Sequence, residues 1–203
     1  MSLLGAEQIT SRPMPGTHLP ARFSIAQFDA MIDAGVFLKE TDRQIQLLNG
    51  EIVIMTPPNP RHDDVVRLLS AWAFGRIQRS QDAFEVCVQL SMNLDGQNSV
   101  VLPDLMFVVH QSYSLRRPNA SDTRLLVEVS DTTLAYDLNE KMGMYAEANV
   151  VEYWVIDIPH RSLTVHRDPA TGRYRSVQTF DEHASVSPVF LPDASLSVGQ
   201  LFR

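Results

Sequence analysis

The order of three segments between Arg124 and Ile158 leaves this chain few folds. An apolar strand, "RLLVEVS", is followed by a helical stretch, "DLNEKMGMYAEA", and then by a second apolar strand, "EYWVIDI". That order is consistent with a β-α-β crossover, in which the two strands run parallel and the helix packs on the sheet. The two-residue period of the first strand puts Leu125, Val127 and Val129 on one face and Leu126, Glu128 and Ser130 on the other. If both faces are covered, Glu128 is a carboxylate withdrawn from water, and leaving it unpaired costs several kcal/mol or forces its protonation. Something must compensate it.

The flanking sequence extends the same pattern. "SIAQFDAMIDAGVF" carries Ile25, Phe28, Met31 and Ile32 at helical spacing, with Ser24 placed to cap the helix. In "IQLLNGEIVIM", Asn49-Gly50 separates two apolar runs, the strongest short signal of a β-hairpin because both turn positions need positive φ. "TPPNP" interrupts the chain, and "HDDVVRLLSAWAFGRIQ" resumes a helix through Val65, Leu68, Leu69, Trp72 and Ile77. "FEVCVQLSMNL" and "VVLPDLMFVV" each read as one strand, as do "SLTVHRD", "RYRSVQTF" and "SVSPVFL" later on. The sum is a mixed α/β domain: a central sheet flanked by helices, preceded by a helix and a hairpin. Residues 1–20 read as a flexible arm and 21–203 as a single domain, a size that 203 residues support.

Composition excludes several classes. No apolar run approaches a membrane span, and the N-terminal stretch lacks the basic start and apolar core of a secretory signal, so the cytoplasm is the expected compartment. Cys87 is the only cysteine, which rules out an internal disulfide, and its apolar strand suggests a buried thiol rather than a nucleophile. A formal charge of -7 argues against a tight sequence-independent grip on phosphate backbones. Two arginine clusters, Arg61, Arg67, Arg76 and Arg79 on a helix and Arg161, Arg167, Arg173 and Arg175 on a hairpin, read first as solvated surface.

Glu128 has a counterpart. In "VLPDLMFVV" the alternation places Asp104 with Leu102, Met106 and Val108, so two strands each hold one carboxylate in an apolar run. A hard divalent cation such as Mg²⁺ takes oxygen ligands of this kind, commonly one or two carboxylates plus water and substrate phosphate. Taken alone, Asp104 is equally a strand-opening turn residue, and Glu128 an edge residue or half of a salt bridge. Lys141 lies one helical turn after Asp137 and one before Tyr145, so the three share a face; the Asp137 to Lys141 spacing is also that of an ordinary surface ion pair. Glu51 follows the hairpin turn, where a charge is common. His62 reads as a capping or surface histidine, and Asp157 as a structural residue at a strand end.

Together, "LLNGEIVIMTPPNPRH", "VLPDLMFVV", "LLVEVSDTTLAYDLNEKMGMY" and "ANVVEYWVIDI" resemble the Uma-two family of restriction-endonuclease-like proteins, within the PD-(D/E)XK nuclease superfamily. The likeness spans roughly Leu47 to Asp157. It implies a restriction endonuclease-like mixed sheet, Mg²⁺ or Mn²⁺ as cofactor, and hydrolysis of phosphodiester bonds in DNA. Asp104 then corresponds to the aspartate of the "PD" motif, Glu128 to the acidic residue of the next strand, Lys141 to a relocated active-site lysine, and Glu51 to an early glutamate that completes the metal shell or binds a second ion. The superfamily lysine usually lies two residues after the acidic residue, where this chain has Ser130. A catalytically inactive nucleic-acid- or protein-binding module of the same fold is the alternative, favoured by Ser130 and the acidic charge; intact Asp104, Glu128 and Lys141 favour the enzyme. A hydrolase of other phosphate esters is a third reading. A homodimer would suit an enzyme that cuts both strands.

Overall fold

A computed structural model describes residues 20–38, 44–77 and 83–203; the expected arm, except for Pro20, and Arg79 lie outside the described residues. Helix α1 (Ile25–Asp33) opens with a reciprocal cap: Ser24 Oγ accepts from Gln27 N at 3.2 Å and Gln27 Oε1 accepts from Ser24 N at 2.8 Å. Strands β1 (Gln44–Leu48) and β2 (Glu51–Met55) form the expected hairpin, turning through Asn49 at φ 50° and Gly50 at φ 80°. Helix α2 (Pro60–Ile77) has proline in its first turn, where the missing N–H costs nothing, and Asn59 Oδ1 accepts from the backbone of Arg61 and His62 at 3.0 and 3.1 Å.

The two runs expected to be single strands are each split between two sheets. "FEVCVQLSMNL" becomes β3 (Phe84–Val88) and β4 (Met92–Leu94), parted at Gln89, whose φ is 48°. "VVLPDLMFVV" becomes β5 (Ser99–Val101) and β6 (Leu105–Val109), parted around Pro103, which has no N–H to offer a ladder. The smaller sheet has the order β2-β1-β5-β4. The larger one continues with β7 (Thr123–Ser130), β8 (Glu152–Asp157), β9 (Ser162–Ala170) and β10 (Arg173–Phe180), in the order β10-β9-β8-β7-β6-β3. Strands β7 and β8 pair in parallel, as the crossover predicts, while the other pairs are antiparallel. The last expected strand shrinks to β11 (Ser185–Val186), paired with β12 (Leu196–Ser197).

The larger sheet is covered on both faces. On one, α2 brings Val65, Val66, Leu69, Trp72 and Ala73 against Leu105, Phe107, Leu125, Val127 and Val129. Trp72 stacks on Trp154 at 6.1 Å and meets Phe107 edge-on at 5.9 Å. On the other, a helical segment follows β7: α3 (Leu134–Tyr136), a single π turn over Asp137–Lys141, and α4 (Met142–Glu147). Met144, Tyr145 and Ala146 pack there with Met106, Leu126, Tyr153 and Val155. No helix among the described residues is long and apolar enough to cross a membrane. Cys87 is half-buried, and burial pushes its thiol up to about 11, which leaves it unreactive. The arginine clusters are largely engaged: Arg67 with Asp64, Arg161 with Glu182, Arg167 with Glu152 and Arg175 with Asp168. Asp157 caps the loop after β8, accepting from His160 N at 3.1 Å.

Candidate active site

Asp104 sits where the chain passes from the smaller sheet to the larger, one residue before β6. Its carboxylate continues the sheet's bonding: Oδ2 accepts from Val129 N at 2.8 Å, while its backbone carbonyl accepts from Gln89 N at 3.1 Å. Asp104 is thereby held from both neighbouring strands. Glu128, on β7, lies next to that anchor and faces the helix beyond the sheet.

The helix brings the lysine. Lys141 Nζ lies 3.0 Å from Glu128 Oε1 and 3.2 Å from Asp137 Oδ1, and Tyr145 OH donates to the same Glu128 oxygen at 2.7 Å. The expected shared face of Asp137, Lys141 and Tyr145 is therefore turned onto Glu128. Lys141 is the last residue of the π turn, a one-residue irregularity of the kind that re-aims helical side chains. Asp137 Oδ2 accepts from Ser130 Oγ and from Thr133 Oγ1, both at 2.6 Å. Ser130 thus reaches Lys141 indirectly, through Asp137.

These charges are withdrawn from water: Asp104, Glu128, Asp137 and Lys141 are 7, 3, 1 and 7% exposed. Burial lifts the Glu128 carboxyl to about 8, Lys141 drawing it down while Asp104 and Asp137 add to the rise. Burial alone would lower Lys141, but Glu128 and Asp137 outweigh it and keep the ammonium charged. Burial also raises the Tyr145 phenol well above its ordinary value, so it stays a donor.

Asp104, Glu128, Asp137 and Lys141 line one cleft of about 140 Å³, together with Gln44 and Gln46 of β1 and His62 of α2. His62 is not a surface residue: its side chain is 13% exposed, with Nε2 3.1 Å from Asp104 Oδ1. Burial would lower its pKa, but Asp104 and Asp63 raise it overall. Among the described residues, four buried side-chain atoms lack a hydrogen-bond partner, and three of them, Gln46 Oε1, His62 Nδ1 and Asp137 Oδ1, belong to cleft residues. The Asp137 oxygen has its ion-pair contact with Lys141, and His62 Nδ1 lies 3.5 Å from Asp63 Oδ1, both without hydrogen-bond alignment. Orphaned buried groups are rare in folded proteins, and Gln46 Oε1 has no such contact among the described residues.

Glu51 stands apart from this cleft. It is exposed, paired with Arg22 at 3.0 Å, and lines a neighbouring depression with Tyr136 and Glu140. Among the described residues no three His, Cys, Asp or Glu side chains form a metal cage. What the cleft offers is carboxylates, Asp104 and Glu128 on the sheet with Asp131 and Asp137 beyond it, and amide oxygen, without thiolate. Glu128 Oε2 carries no hydrogen bond from the described residues. That donor set fits a hard cation that keeps waters and shares substrate oxygens, as Mg²⁺ does.

Comparison with known proteins places the chain in a family and a fold. The Uma2 family, described as "Putative restriction endonuclease", matches residues 25–199. This chain belongs to the Uma2 family. Among solved structures, one from Anabaena variabilis described as "a putative nuclease belonging to DUF820" superposes with a TM-score of 0.66, covering 89% of this chain and 97% of its own, at 16% identity. At that identity the likeness is one of fold, and it extends the Uma2 assignment to a restriction endonuclease-like architecture. No curated protein matches the chain.

Proposed function

We propose that this Uma2 protein is a metal-dependent endonuclease that hydrolyses phosphodiester bonds in DNA. The observation that carries the proposal is the convergence of Asp104, Glu128 and Lys141, from two adjacent strands and a helix, on one cleft. Asp104 and Glu128 would hold Mg²⁺ or Mn²⁺, which when bound polarises the scissile phosphate and lowers the pKa of water. Val129 N fixes the Asp104 carboxylate, and Tyr145 fixes that of Glu128. The Lys141 ammonium, ion-paired with Glu128 and Asp137, has three N–H donors and would keep at least one for the attacking water or for the charge that develops on phosphate. Asp137, tied down by Ser130 and Thr133, keeps the lysine in place. Glu51 belongs to the rim in this reading, where it would meet the flanks of a substrate rather than the cation. A homodimer would suit an enzyme that cuts both strands, because it would bring two such centres to one duplex.

The test is a calorimetric Mn²⁺ titration of the unmutated protein and of Glu128→Gln, followed by incubation with supercoiled plasmid. Binding that weakens at least about tenfold in the variant, with Mg²⁺-dependent nicking stopped by chelation, is the expected result. Identical titrations would remove Glu128 from the centre. Plasmid binding without cleavage would favour the inactive module, and cleavage of RNA or small diesters alone would change the substrate.

A further inference from the structure

Gln46 is one of the three cleft residues with an orphaned atom, and neither the carboxylate pair nor the lysine uses it. It is 2% exposed, its Oε1 has no hydrogen-bond partner among the described residues, and it lines the cleft with Asp104 and Glu128. The alternation of β1 explains how it arrives there. Ile45 and Leu47 turn to the small core with Phe28 and Val100, so the glutamines at positions 44 and 46 turn the other way. The carboxamide is therefore delivered from the smaller sheet, across the seam, to a site whose carboxylates come from the larger one.

A buried acceptor without a donor is costly, and this one persists in a cleft where, among the described residues, no three His, Cys, Asp or Glu side chains are grouped to hold an ion by themselves. A hard cation needs about six oxygens, of which two carboxylates supply a minority. We propose that Gln46 Oε1 is a further, neutral oxygen donor to the cation centre of Asp104 and Glu128, acting on the ion directly or through one water of its shell. The proposal rests on the nuclease reading above. A neutral group suits this wall: Asp104, Glu128, Asp131 and Asp137 already line the cleft with the single ammonium of Lys141, and a further carboxylate would add repulsion to the metal-free protein.

Mn²⁺ calorimetry on the unmutated chain, Gln46→Met and Gln46→Glu, joined to thermal unfolding without metal, tests it. Methionine keeps the length and removes the amide. The expected result is binding weakened about tenfold in Gln46→Met and tightened about tenfold in Gln46→Glu. Without metal the order of melting temperatures reverses: Gln46→Met melts higher, because the orphan is gone, and Gln46→Glu melts lower. If Gln46→Met does not fold, the tightened binding of Gln46→Glu alone supports the proposal and its absence refutes it. Unchanged affinity in both variants, with the unmutated protein binding, would overturn the role of Gln46 alone. A lower metal-free melting temperature in Gln46→Met would overturn it too, since the amide would then serve the fold. No binding by the unmutated protein would overturn the metal centre and this role with it.

Discussion

Strand β7 has two faces, and they are built on opposite principles. Leu125, Val127 and Val129 meet α2 in a layer of aliphatic and aromatic side chains that includes Trp72, Phe107 and Trp154. On the other face, where the strand ends, Glu128 and Ser130 enter a buried network with Lys141, Asp137 and Tyr145. The first face is held by area removed from water and by close packing. The second carries charges whose desolvation offsets most of their mutual attraction, and it keeps polar atoms unmatched. One strand thus contributes stability from one side and, in the function proposed, a reactive site from the other, and substitutions on the two sides should have different consequences.

Trp154→Ala tests the packed face and carries the largest expected effect. Emptying a fully buried indole between Trp72 and the sheet costs about 3–5 kcal/mol, read by urea unfolding, while Mn²⁺ affinity of the folded fraction stays unchanged. Lys141→Met tests the polar face. Losing a positioned donor to the developing charge lowers the cleavage rate about 100- to 1,000-fold, or about 3–4 kcal/mol in barrier, and a plasmid assay reads it. Its stability loss is smaller than that of Trp154→Ala, because Glu128, already raised to about 8, can take up a proton. A larger stability loss than activity loss would erase the distinction between the faces. Ser130→Ala comes third: Asp137 keeps Thr133 but loses one buried donor, costing about 1–3 kcal/mol, with cleavage falling as Lys141 loosens.

How legible these faces were in the sequence follows from the range of the interactions behind them. The hairpin at Asn49-Gly50 and the β7-helix-β8 crossover rest on local turn chemistry and periodicity, and both stand in the structure. Glu128 was visible because a two-residue period makes one carboxylate in an apolar run conspicuous. The division into two sheets was not, since the apolar alternation continues on either side of Gln89 and Pro103; the proline was the available signal. The reach of Lys141 depends on a π turn that helical spacing does not announce. His62 read as a capping or surface residue and Gln46 did not stand out from its strand, because their burial comes from elements distant in the chain. For Glu51, position after the turn could not tell rim from cleft; its partner Arg22 lies 29 residues away.

The smallest expected effect tests whether buried polar groups outside the cleft behave differently from those within it. His166 on β9 is 3% exposed, stacked on Tyr153 at 5.2 Å, with Nδ1 3.3 Å from the Tyr153 carbonyl. Burial lowers its pKa below 6.5, and the carbonyl contact opposes the shift only in part. In the unfolded chain the ring regains its ordinary value, so below pH 6.5 the unfolded state binds the proton first. The stabilising contribution is therefore complete above pH 6.5 and is lost as pH falls through the folded-state pKa. Urea unfolding between pH 7.5 and 5, about a unit or more either side of that value, should show a fall in stability that His166→Gln lacks. Unlike the orphaned atoms of the cleft, this ring has a protein partner, and a ligand for the cleft should leave its titration where it is. Added Mn²⁺ that moved the His166 step would mean that the two kinds of buried polar group are coupled through Tyr153, whose hydroxyl donates to the Asp137 carbonyl at 3.0 Å.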